Sequence, residues 1–137
     1  MRAAVAVVLL TVLAAGCGGG GLSREEFVDK ANANCAERLE AERDVYARKA
    51  TVEEYKRVYD AELEKQRKLE PPDEMADDWR RYQQLSRESL DALVELIRDE
   101  DPKRRTELEL AQSRKATQSR LIARDLGIEL CAKQVEL

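Results

Sequence analysis

The chain has 137 residues, with 24 Lys and Arg against 28 Asp and Glu, a net charge of −4 and no histidine. A net acidic chain lacks the basic footprint of a nucleic-acid binder. Zero histidine excludes Ser-His-Asp and Cys-His catalysis, histidine zinc sites and carboxylate-histidine di-iron sites, so the chain reads as a binding or structural protein rather than an enzyme.

Met1 and Arg2 are followed by an apolar run from Ala3 to Leu13, broken only by Thr11, and then by Ala14, Ala15, Gly16 and Cys17. A positive start, a short apolar stretch and small residues make residues 1–16 a signal peptide. The run is shorter than the about 20 residues a membrane-spanning helix needs, and no basic stop-transfer cluster follows it. Leu13-Ala14-Ala15-Gly16-Cys17, followed by Gly18 to Gly21, resembles the lipobox and glycine tether of bacterial lipoproteins, with Ala14 where that family usually carries Leu, Val or Ile. The resemblance implies cleavage before Cys17, lipidation of its thiol, and a tether over residues 17–22 that holds the remainder, 23–137, at the outer face of a cell membrane. Two or more acyl chains, at about 0.8 kcal/mol per buried methylene, anchor a protein stably. The alternative is ordinary secretory cleavage near Ala14 or Gly16, which leaves Cys17 as a thiol.

Three cysteines are an awkward number for an exported protein, but lipidation of Cys17 leaves Cys35 and Cys131 as a pair in an oxidising compartment. A bridge between them closes a loop of roughly 95 residues, which the loop-entropy relation values at about 4 to 5 kcal/mol. The alternative is two buried thiols. From Cys17 onward the chain is one small domain, with 23 basic and 28 acidic residues once Arg2 is removed. So charged a chain has a thin core, for which a disulfide is a useful staple.

Five of the six glycines precede residue 22, and the prolines are Pro71, Pro72 and Pro102. The stretches between are rich in Ala, Leu, Glu, Arg, Lys and Gln, the strong helix formers, and none alternates apolar and polar residues as a half-buried strand would. Ser23-Arg24-Glu25-Glu26 is a capping box that starts a first helix, and Thr51-Val52-Glu53-Glu54 is a second. The segment from Leu22 to Glu70 therefore reads as two helices, the alternative being one helix of about 70 Å at 1.5 Å per residue. Pro71 and Pro72 end the second. A third helix is predicted from Asp73 to about Asp99. The fourth starts at Asp101-Pro102, an N-cap followed by proline at the first helical position, and stops at Gly127, leaving a tail that carries Cys131.

Apolar residues recur at helical spacing as Phe27, Val28, Ala31, Cys35, Leu39, Val45 and Tyr46, then Val52, Tyr55, Tyr59, Leu63 and Leu69. Met75, Trp79, Tyr82, Leu85, Leu90, Leu93, Leu96 and Ile97 form the strongest stripe, whereas Leu108, Ala111, Leu121, Ile122 and Leu126 leave the fourth helix with a weak middle. Comparable lengths and short turns predict an all-α, antiparallel four-helix bundle. That topology brings the Cys131 tail toward Cys35, yet Cys35 lies about 18 Å along the first helix, so the helix must overhang or the tail must fold back.

No catalytic constellation is found. Ser86, Ser89, Ser113 and Ser119 lack nucleophile-elbow glycines, and neither a phosphate loop nor a CxxC motif is present. Trp79 and Tyr82 read as core fillers rather than a ligand site. Asp73, Glu74, Asp77 and Asp78 suit the first turn of a helix better than a cation site, so neither a metal nor a cofactor is expected. Asp99-Glu100-Asp101 followed by Lys103-Arg104-Arg105 places acids at the end of one helix and bases at the start of the next, against both dipoles. Lys103, Arg104 and Arg105 are thereby a candidate partner surface, with salt bridging across the turn as the alternative.

The early cysteine in Ala31-Asn32-Ala33-Asn34-Cys35-Ala36 and the late one in Leu126-Gly127-Ile128-Glu129-Leu130-Cys131 give a whole-chain pattern that resembles small all-helical lipoproteins of actinobacterial type. The resemblance supports the disulfide and the location and implies no activity. The expected role is a binding or adaptor module, anchored to the membrane by lipid, that meets an envelope protein or cell-wall polymer. A structural or stress-related surface protein without a ligand is the alternative, and an enzyme or ligand carrier with a pocket between helices is a third reading that the missing histidine and the lack of polar clusters disfavour.

Overall fold

A computed structural model describes residues 22–134. The expected signal peptide over residues 1–16, Cys17 and the glycines of the expected tether lie outside the described residues. The fold is an all-α antiparallel bundle of α1 (Arg24–Ala47), α2 (Val52–Arg67), α3 (Ala76–Arg98) and α4 (Pro102–Asp125), with a 3₁₀ turn over Asp73–Met75. Among the described residues no helix is long and apolar enough to cross a membrane.

Local chemistry sets most of the helix ends. Both capping boxes form: Ser23 Oγ accepts from the Glu26 amide at 3.2 Å while the Glu26 carboxylate accepts from the Ser23 amide at 3.0 Å, and Thr51 and Glu54 repeat the exchange. The break after Ala47 therefore divides the long first segment into two helices. Asp101 caps α4 through the Lys103 amide, with Pro102 at the first helical position. The third helix differs slightly from expectation, because a 3₁₀ turn takes up Asp73–Met75 and regular α-helix begins only at Ala76.

Two helices end in the same way with different residues. After α4, Gly127 adopts φ +80°, its amide reaches the Arg124 carbonyl at 2.9 Å, and the Ile128 amide reaches the Ala123 carbonyl at 2.8 Å. This is a Schellman cap with Ala123 and Ile128 in apolar contact. After α1 the same pair of bonds, Lys49 to Tyr46 and Ala50 to Val45, places Lys49 at φ 51°. A residue with a Cβ is strained there.

The helices form two hairpins, α1–α2 and α3–α4, joined along α2 and α3. The second hairpin is the closer-packed. Gln112, Ala116, Ser119 and Ala123 form one row on α4, and Ser89, at the facing position on α3, donates to the Gln112 carbonyl. Small side chains let helix axes approach, so the weak middle of the α4 pattern is a close-packing surface. Leu121 and Leu110, by contrast, stand exposed, as does Ile97 on α3.

The main core lies at the end where the chain enters. Phe27, Ala31 and Cys35 of α1 meet Met75, Trp79 and Tyr82, together with Ala123, Leu126, Ile128 and Cys131. Trp79 stacks on Tyr82, ring centroids 5.0 Å apart, and meets Phe27 edge-on at 5.0 Å. Phe27, Trp79 and Tyr82 are thus core residues, buried to within a few per cent. Cys35 and Cys131 are joined by a disulfide with Cα atoms 5.1 Å apart. The tail resolves the length mismatch by folding back: successive turns run from Ile128 to Lys133, and Asn32 Oδ1 accepts from the Leu130 amide at 2.9 Å.

Candidate functional site

Along α1 the inward row is Phe27, Ala31, Cys35, Arg38, Glu42 and Val45, all buried. The spacing is that of one helix face throughout, but past Cys35 two of the next three members are charged. On α3 the inward row turns from Trp79 and Tyr82 to Ser86 and Ser89, also buried. Polar side chains thus take core positions on both helices. No Cα of α1 comes within 8 Å of a Cα of α4, and a cavity of about 350 Å³ lies between the hairpins.

Arg38 anchors this cavity. Its Nη1 donates to Glu42 Oε1 at 2.8 Å, its Nη2 reaches the Lys133 carbonyl at 3.4 Å, and its guanidinium carbon lies 5.8 Å from the centre of the Tyr59 ring. Burial works against the Arg38 cation, but the neighbouring Tyr59, Glu42 and Tyr82 outweigh it and hold the pKa above its ordinary value. Glu42 ends on the other side of the balance. Burial pushes its carboxyl above the usual carboxylate range, and Arg38 returns only part of that loss.

Tyr46, Tyr55 and Tyr59 line the wall made by α1 and α2, with ring centroids 5.6 and 6.0 Å apart in sequence. Burial raises Tyr55, Tyr59 and Tyr82 above the ordinary phenol value, so their hydroxyls stay protonated. The facing wall carries Ser86, Ser89, Leu90 and Leu93 of α3 with Gln112, Ala116, Ser119 and Arg120 of α4. Gln112 Nε2 donates to Ser89 Oγ at 3.4 Å, and Ser119 Oγ donates to the Ala116 carbonyl at 3.0 Å. Cys131 closes the inner end, so the disulfide forms part of the wall.

Of the residues singled out from the sequence, Cys35 and Cys131 reach this site and Lys103, Arg104 and Arg105 lie away from it, at the α3–α4 turn. Arg104 pairs with Asp99 at 2.7 Å and Glu95 at 3.5 Å, and Arg105 Nη1 donates to the Leu96 and Asp99 carbonyls at 2.9 Å each. Arg105, at odds with the α4 dipole, thereby serves carbonyls at the end of α3, and Arg104 neutralises the carboxylates there. Asp73, Glu74, Asp77 and Asp78 are exposed, with Asp77 paired to Arg80. Arg38, Glu42 and Gln112 were missed in the sequence, although the first two stand on the same helical row as Phe27, Ala31 and Cys35. Polar residues at inward positions were the available signal.

The chain matches no protein-family model, no curated protein and no solved structure.

Proposed function

We propose that the protein is an extracytoplasmic binding module, held at the outer face of a cell membrane by lipid on Cys17, whose binding site is the cavity between its two hairpins. The observation that carries the binding role is that cavity, in which a buried Arg38–Glu42 pair, Ser86 and Ser89 stand where a purely structural bundle would have an apolar core, beside the half-buried Tyr55 and Tyr59. The location is supported by the use of two of the three cysteines in a disulfide, which leaves Cys17, in its lipobox-like setting, for acylation. Leu22 stands at the apolar end of the bundle, hydrogen-bonded to Glu70. A short tether ending there keeps the apolar end near the bilayer and turns the cavity half toward the envelope.

The test is the intact mass of the native protein recovered from membranes, with thiols alkylated before and after reduction. A chain beginning at acylated Cys17, with Cys35 and Cys131 alkylated only after reduction, is expected. An unlipidated chain overturns the anchored reading.

A further inference from the structure

The lining of the cavity favours one class of ligand. Seven of its residues carry hydroxyls, and Gln112 and Gln134 add carboxamides. A hydroxyl both donates and accepts and turns to suit its partner, so an array of them is matched by a ligand that is itself an array of hydroxyls. A carboxylate ligand would compete with Glu42, whose own carboxylate already pairs with the Arg38 guanidinium at 2.8 Å. An acyl chain would lay methylenes, which cannot hydrogen-bond, against the Arg38–Glu42 pair and the polar wall of Ser86, Ser89, Gln112 and Ser119.

The two walls are also unlike each other. Tyr46, Tyr55 and Tyr59 present aromatic surface in a row, whereas α3 and α4 present Ser86, Ser89 and Gln112. A sugar ring has the matching asymmetry, with C–H bonds on its faces and hydroxyls around its edge. Tyrosine suits such a ligand because it supplies a rigid apolar body with a polar tip. At about 350 Å³ the cavity is near the small end of ligand sites, a size for one or two rings.

We propose that the cavity is a saccharide-binding site, which takes a neutral mono- or disaccharide unit with a ring face against Tyr55 and Tyr59 and its hydroxyl edge toward Ser86, Ser89 and Gln112. The proposal rests on the cavity being the module's binding site, and the test separates the two. The ¹⁵N-labelled full chain, with its disulfide intact and in detergent micelles, is titrated to about 10 mM with N,N′-diacetylchitobiose, maltose and trehalose, and in parallel with benzoate and octanoate.

At least one disaccharide is expected to shift the amide signals of Ser86, Ser89 and Gln112 saturably, with Kd of about 0.1 to 1 mM, and Tyr55→Phe combined with Ser89→Ala is expected to weaken it at least about tenfold. Co-sedimentation with insoluble wall glycan that free disaccharide competes away assigns the sugar to a glycan chain, and its absence assigns it to a free sugar. Shifts with benzoate or octanoate alone overturn the saccharide class while keeping the cavity as a site. Silence from every probe overturns both, and leaves the anchoring to the mass measurement. Affinity unchanged in the double variant places binding elsewhere and also overturns the proposal.

Discussion

The two ends of this bundle use the same four helices to different effect. At the chain-entry end, Phe27, Met75, Trp79, Leu126 and Ile128 interdigitate without solvent, and the Cys35–Cys131 bridge closes the seam between α1 and the tail. One turn further along α1, Arg38 and Glu42 take the inward positions, and with Ser86 and Ser89 of α3 they line the cavity. A smaller cluster of Leu63, Leu90 and Val94, backed by Val52, Tyr55 and Tyr59, holds α2 to α3 beside the gap. Stability is thus concentrated at one end, and the groups able to recognise a ligand are concentrated at the other.

The contrast predicts that the apolar end dominates stability. Replacing both Cys35 and Cys131 by alanine should cost about 4 to 5 kcal/mol in a urea unfolding titration, because the bridge closes a long loop. A loss below about 1 kcal/mol would mean that the tail is held by packing alone. Trp79→Ala should cost about 3 to 5 kcal/mol by cavity formation between Phe27 and Tyr82.

At the open end, Arg38→Met should cost about 3 kcal/mol by stranding Glu42, and adding Glu42→Leu should recover most of it, since a buried pair is replaceable by apolar groups. Failure of the second substitution to rescue would show that Arg38 acts mainly through the Lys133 carbonyl. The pair also carries a pH signature. The Glu42 pKa is raised on folding, so the native state holds its proton more tightly than the unfolded chain does, and stability from this group is lost as pH rises through 4.5 toward the higher folded value. Glu42→Gln should therefore gain stability relative to the parent over that interval in unfolding curves taken at a series of pH values. Glu26 and Glu54 act in the opposite sense. Their carboxylates are held below the ordinary value, chiefly by backbone amides of the capping boxes, so their contribution is present above 4.5 and lost as pH falls through their folded values.

Smaller effects belong to the helix ends. Thr51→Ala should cost about 1 kcal/mol by removing the α2 cap. Lys49→Gly should stabilise by less than about 1 kcal/mol, because the left-handed backbone that strains lysine suits glycine. A loss on Lys49→Gly would show that the lysine side chain makes a contact worth more than its strain.

Sequence reading found the ends of the helices and misread parts of their faces. Ser23, Thr51, Asp101 and Gly127 act on amides and carbonyls within a few residues, so their patterns carry over directly into structure. Faces depend on neighbours distant in the chain. Tyr46, Ile97 and Leu121 fit apolar stripes by spacing but end exposed, while Arg38 and Glu42 share the row of Phe27 and end buried. The row was visible at its periodicity. What hid the site is that a charged residue at an inward position usually marks the edge of a stripe, and only the facing helix decides otherwise.

By itself, then, the sequence determined the helix caps and stops and pointed to the pairing of Cys35 with Cys131, because caps, prolines and cysteine number are local or discrete signals. The tertiary structure alone decided that the tail folds back along α1, that small residues draw α4 against α3, and that α1 stands apart from α4. Those outcomes depend on contacts between residues distant in the chain, which place Arg38 and Glu42, costly to desolvate, beside a polar cavity.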